Sequence, residues 1–307
     1  MYMSCKLLLS VVFLLSLVFP VFSFEPSGGV LMLDGEDDYA ILPLAEHGYI
    51  FPRDTDAFTA EVWFYPKSRP EQGEKGVILS QQVAFGLTAD DCRGRVGKKD
   101  QVCSYGLAYL EGAAANGVRG IDAVIKTDQW NYLAVIFKDS TIYLAYNNQI
   151  LRGAKRDFMN VVAAEIFFLE GFKDFFIGGY AEDKLIVNRD GRVLARETYF
   201  HGAIDAIRFS NIARYDLPAE RGPSPFEPPP HFFIDAHTLA FWDFNDEEGA
   251  DHFQDESGNG KTLIGMNGAI TLGGTGVNLE RAPEDGLEIR PDTSLATTWG
   301  QVKSESF

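Results

Sequence analysis

The sequence predicts an all-β fold, an antiparallel two-sheet β-sandwich of the jelly-roll kind. Apolar and polar residues alternate with a period of two in FTAEVWFYP, residues 58–66, as a strand with one packed face requires. WNYLAVIF and TIYLAYNNQIL, residues 130–137 and 141–151, are separated only by Lys138-Asp139-Ser140, a hairpin spacing. Short runs of this kind recur with turn residues between them, and no stretch keeps a helical period beyond about three turns. Many short strands and no sizeable helix leave a sandwich or barrel. The 24 Phe, 12 Tyr and 4 Trp suit strands.

Residues 1–23 read as a signal peptide. Lys6 precedes the apolar run LLLSVVFLLSLVFPVFS, and Val21 and Ser23 occupy the small-residue positions before a cut after Ser23. An uncleaved anchor is the alternative, because the run is just long enough to span a bilayer. No later stretch is apolar enough to cross, so no stable membrane insertion is expected after cleavage. The expected location is secreted, extracellular or periplasmic. Loss of Lys6 makes the mature chain more acidic still than the full chain's net −17. That balance excludes nucleic acid as a partner, since phosphate binding needs basic patches. Cys5 lies in the leader. Cys92 and Cys103 bracket a polar loop, and in an oxidising compartment they can close it as a disulfide, contributing about 3 kcal/mol by loop length. Two free thiols are the alternative.

One domain is expected over residues 24–270. Apolar runs flank the acidic turn Asp34-Gly35-Glu36-Asp37-Asp38, which reads as a hairpin. In residues 58–66, Phe58, Ala60, Val62 and Phe64 share one face, and Thr59, Glu61, Trp63 and Tyr65 the other. Further strands are expected from Val77, Val83, Tyr105 and Ala123, and in DFFIGGY from Asp174. FHGAIDAIRFSNIARY, residues 200–215, is a late strand on which Ala203, Asp205, Ile207 and Phe209 share a face. Asp205 in that apolar row requires a partner. Residues 216–235 form a Pro-rich connector, excluded from any central strand. TLAFWDF follows, then DESGNG. From Thr271 the chain is Gly-rich and polar, and residues 271–307 are expected to be a poorly ordered tail.

LMLDGEDDYAILP, FTAEVWFYP, QWNYLAVIFKDSTIYLAYNNQ, FFIGGY, HGAIDAIRFSNIARY, LAFWDFNDEEG and DESGNG together resemble the laminin-G-like, concanavalin A-like lectin/glucanase jelly-roll family. The resemblance implies an extracellular recognition module, often calcium-binding, whose partners are glycans or extracellular proteins. The last strands are expected to close the same sandwich; the alternative is the opening of a second, truncated copy. In resembling folds the first and late strands lie near each other. That adjacency would let Asp205 and the Asp34-Gly35 turn hold one structural Ca²⁺, as suits oxygen ligands. The alternative is that Asp205 accepts hydrogen bonds from the protein.

Glycosidases on this fold carry an E-x-D-x-x-E strand. Glu165 and Glu170 have the outer spacing, but Phe167 stands at the middle acid. An odd separation sends the two carboxylates to opposite faces of a regular strand. No G-x-S-x-G or H-E-x-x-H is present. The expectation is therefore a non-enzymatic binding module, with carbohydrate as first ligand class, a protein-interaction or surface-structural module as second, and a degenerate glycosidase as third. Trp63, Tyr65, Trp130 and Tyr143, with Tyr132 and Tyr146, are the candidate sugar-stacking rings.

Overall fold

The computed structural model describes residues 24, 26, 28–50, 56–68, 74–81, 85–91, 102–107, 124–139, 141–155, 174–181, 184–187, 193–220 and 222–273. The first part of the chain supplies β1 (Val30–Asp34), β2 (Tyr39–Leu42), a single turn α1 (Leu44–His47), β3 (Ala57–Pro66), β4 (Glu74–Gln81), β5 (Phe85–Asp91), β6 (Val102–Leu107) and β7 (Val124–Ile125). The middle supplies β8 (Asn131–Lys138), β9 (Thr141–Tyr146), β10 (Gln149–Lys155), β11 (Phe175–Ile177), β12 (Lys184–Val187), β13 (Val193–Thr198) and β14 (His201–Ser210). After it come β15 (Pro223–Pro225), β16 (Thr238–Trp242), β17 (His252–Phe253), β18 (Leu263–Met266) and β19 (Ile270–Leu272).

The first sheet runs β15-β10-β9-β8-β3-β14-β1-β19, with β16 also on β14. The second runs β17-β18-β2-β11-β4-β5-β6-β7 and adds β13 and β12. Every pairing is antiparallel except β13 on β4. The result is an all-β sandwich of two packed, almost wholly antiparallel sheets.

The expected faces of β3 hold. Phe58, Ala60, Val62 and Phe64 enter the core between the sheets, where Leu133, Val135, Phe137 and Trp242 meet Leu42, Leu79, Phe175 and Leu263. The expected β8–β9 hairpin forms, and a second hairpin joins β9 to β10, with Asp139 and Asn147 at positive φ in their turns. Proline keeps β15 at the sheet edge, where a missing N–H is tolerated. The late strands do close the sandwich, β19 on β1 and β18 on β2.

Three expectations change. The acidic turn is no hairpin: β1 belongs to the first sheet and β2 to the second. Asp34 Oδ1 accepts the N–H groups of Glu36, Asp37 and Asp38, and Gly35 has φ of +80°, so the chain crosses from one layer to the other. The two-residue period of β14 is broken. Ile204 faces Phe64 across the ladder, yet Ala206 faces Trp63, leaving Asp205 as the extra residue of a β-bulge. Ile204, Ile207 and Phe209 therefore all reach the core. Strand pairing also continues past residue 270, through Thr271 and Leu272. The leader at 1–23, Cys92, the side chain of Cys103, Glu165, Glu170 and residues 274–307 lie outside the described residues.

Candidate functional site: an aromatic cleft beside the connector

The outer face of the first sheet is not bare. Trp63, Tyr132, Ala134, Tyr143, Ile150, Ala206 and Phe241 form a second apolar layer, packed against Phe226 and Phe232 of the connector. The Pro-rich connector is the strap over this face. Phe226 N–H donates to the Asn148 carbonyl at 3.0 Å, and the Trp63 indole N–H donates to the Pro229 carbonyl at 3.0 Å. Arg214 meets Asp235 through two nitrogens, at 2.9 and 2.7 Å. The hydrogen bonds from Arg214 hold the Asp235 carboxyl well below the usual carboxylate range.

Beneath the strap lies a buried polar group. Arg208 donates to Glu61 Oε1 from Nε at 2.8 Å, with Nη2 2.7 Å from the same oxygen. Its Nη1 donates to the Phe233 carbonyl at 2.8 Å, and its guanidinium lies 4.9 Å from the centre of the Phe232 ring. Glu61 Oε2 accepts the hydroxyls of Tyr132, at 2.8 Å, and Tyr215. Burial opposes the Arg208 charge, but the Glu61 carboxylate beside it pushes the guanidinium up on balance. Burial and the same carboxylate raise both tyrosines, so both stay protonated as donors. Every partner is satisfied, which makes this a structural network. The strand pattern placed Glu61 on this face but did not reveal the strap that buries it.

At the edge of the strap a cleft of about 390 Å³ opens between Phe24, Trp63, Gln129, Trp130, the turn Asn147-Asn148, and Phe226, Glu227 and Pro228. Phe24 stacks on Trp63, ring centres 3.9 Å apart and planes 12° from parallel, and stands edge-on to Trp130 at 5.3 Å. The Asn147 side chain is committed to the scaffold: it accepts the Tyr132 N–H at 2.8 Å and donates to Asn131 at 3.2 Å. The side chains of Gln129, Asn148 and Glu227 have no hydrogen-bond or ionic partner among the described residues. The site thus combines an aromatic corner with open amides and one carboxylate.

Of the six candidate rings, Trp63 and Trp130 line this cleft. Tyr65 lies 5.6 Å from Trp130. Tyr132 and Tyr143 are buried beneath the strap, and Tyr146 packs on the inner core. Phe24, Gln129, Asn148, Phe226 and Glu227 carried no strand-pattern signal. Only the fold brings the first residue after the expected cut, two turns and the connector together.

The acidic turn forms a second cluster. Carboxylate oxygens of Asp34, Asp37 and Asp38 lie within 4.8 Å of one another. Burial, then Asp34, raises the Asp38 carboxyl to about 6. β1 does lie beside β14, as the resemblance implied, but Asp34 sits opposite His201. Asp205 is four residues further on, about 13 Å along the strand at roughly 3.3 Å per residue. Asp205 is buried, and not without a partner. The structure therefore groups Asp34 and Gly35 with Asp37 and Asp38 rather than with Asp205. DESGNG is a tight turn. Asp255 accepts N–H groups from Phe241, Ser257 and Lys261, and Gly258 and Gly260 have positive φ.

Fold and cleft together define a jelly-roll β-sandwich with an aromatic surface site. No protein-family model matches the chain, and no curated protein matches it. Among solved structures it is similar to a candidate carbohydrate-binding protein from Bacteroides ovatus, at 14% identity over 81% of this chain and 60% of that one, with a TM-score of 0.47. It is similar to domains LG4-5 of the mouse laminin alpha1 chain, at 17% identity over 66% of this chain and 46% of that one, TM-score 0.33. It is also similar to an SAP-like pentraxin from Limulus polyphemus, at 10% identity over 67% and 94%, TM-score 0.36. Strand order and register, not these likenesses, define the fold.

Proposed function

We propose that this chain is a secreted, non-catalytic module that recognises a glycan in the cleft beside the connector. The observation that carries the reading is the lining itself. Phe24, Trp130 and Phe226, partly exposed around the buried Trp63, offer faces and edges to the apolar side of a sugar, and the amides of Gln129 and Asn148, unpartnered among the described residues, offer donors and acceptors to hydroxyls. The leader-like first 23 residues support export. What supports the non-catalytic reading is that, among the described residues, the cleft lining holds a single carboxylate, Glu227, whereas retaining hydrolysis uses two at about 5 Å. No hydrolysis of laminarin or agarose is expected. Reproducible turnover abolished by Glu165→Gln or Glu170→Gln would overturn the non-catalytic reading.

A structural Ca²⁺ belongs to the same proposal. Asp34, Asp37 and Asp38 present hard oxygen donors on one turn, which fits such an ion. It would neutralise clustered charge where the chain crosses between sheets.

The test is a glycan array with the mature chain. Binding that Trp130→Ala abolishes, with the thermal midpoint kept, supports the reading; no bound glycan overturns it. The second reading, a protein-interaction module, rests on Phe233 and Ile234, which are 72% and 48% exposed side by side on the strap. Pull-down of a protein lost on Phe233→Ser, with an empty array, would favour it.

A further inference from the structure

We infer, resting on the glycan reading above, that the cleft takes uncharged glycans and rejects those bearing uronate or sulfate groups. Among the described residues the lining has no Lys, Arg or His, and its single ionisable side chain is the exposed Glu227. An anionic sugar seated against the aromatic corner would meet that carboxylate with no cation in the lining to offset it. Among the described residues no protein cation is bound to Glu227 either, so none of them quenches its charge. The chain as a whole has the same sign, a net −17. Like-charge juxtaposition of this kind selects against wrong partners more than it strengthens right ones.

The remaining groups suit neutral sugars. Hydroxyls can both donate to and accept from the Gln129 and Asn148 amides. Phe24 lies flat on Trp63 while Trp130 meets it edge-on, so the corner offers a ring face and a side wall to the C–H surface of a pyranose. At about 390 Å³ the cleft lies toward the small end of ligand pockets, roughly 300–1,000 Å³, and suits a short piece of a glycan.

The experiment titrates the mature chain, by calorimetry, with matched pairs of oligosaccharides sharing one backbone, one member neutral and the other carboxylated or sulfated. It is run at low and at high salt, alongside Glu227→Gln and Glu227→Lys, each variant first checked for an unchanged thermal midpoint. The expected result is neutral binding with the anionic member weaker by about fivefold or more at low salt. The gap should narrow as salt screens it, and it should close or invert in Glu227→Lys. Anionic members binding as well as neutral ones would overturn the inference and leave the glycan reading standing. Binding of no member of any pair would overturn both. A preference that Glu227→Lys does not move would also overturn the inference, because the discrimination would then come from elsewhere.

Discussion

Arg208 is held from three sides: by Glu61, by the Phe233 carbonyl and by the face of Phe232. Removing one partner of such a buried pair strands the other, so Arg208→Met should lower unfolding stability by about 3–5 kcal/mol in urea titrations. Glu61→Leu combined with Arg208→Met should recover much of that loss, since no uncompensated charge remains. A double variant as unstable as the single would show that the desolvated charge is not the cause. Asp38 makes the opposite kind of case. Its folded value, about 6, lies above its ordinary 3.8. Its contribution is therefore fully present below about pH 4 and lost as pH rises through about 6. Without calcium, the stability difference between the native chain and Asp38→Asn should shift in favour of the variant across that window. Calcium should raise the native midpoint at neutral pH, because a bound cation favours the ionised form, and Asp37→Asn should weaken the rise. A midpoint indifferent to calcium and to chelator would remove the metal from the acidic turn.

The strap is the element that decides what the outer face can do. Its anchors are spread from β15 on β10 to Arg214 on Asp235, and Phe232 fills the layer beneath it. Phe232→Ala should cost about 3–5 kcal/mol, read as a lower urea midpoint. Phe24 belongs to the opposite wall, and Phe24→Ala should weaken glycan binding in a titration while the far-ultraviolet circular dichroism stays the same. The alternation in β3 made its two faces legible because both were written over many residues. The β14 bulge was not legible: residues around Asp205 are apolar on both faces, so an inserted residue leaves the pattern unmarked. The β1–β2 crossing was hidden for another reason. An Asp-Gly turn between apolar runs suits a hairpin and a layer change equally, and only the partners β14 and β11 distinguish them.

For the whole molecule, strands distant in sequence close both sheets. β14 gives one half of an edge to β1 and the other to β16, so the middle of the chain organises both ends. The sandwich class was readable because it depends on strand count and alternation. The cleft was not, because six of its lining residues, Gln129, Asn147, Asn148, Phe226, Glu227 and Pro228, come from turns and connector, where sequence period says nothing. A chain truncated before Leu263 should lose native near-ultraviolet circular dichroism and aggregate, since β1 and β2 would each keep an open edge.

The pairing of β1 with β19 also has a consequence for biosynthesis. A ribosome delivers Val30 early and Leu272, its ladder partner, only near the end. Until β11 and β14 emerge, β2 and β1 have no ladder partner, and each keeps one open edge until β18 and β19 follow. If the leader directs export, the first strands should cross the membrane before both sheets are sealed. Its own strand order postpones closure until the last strands emerge on the far side.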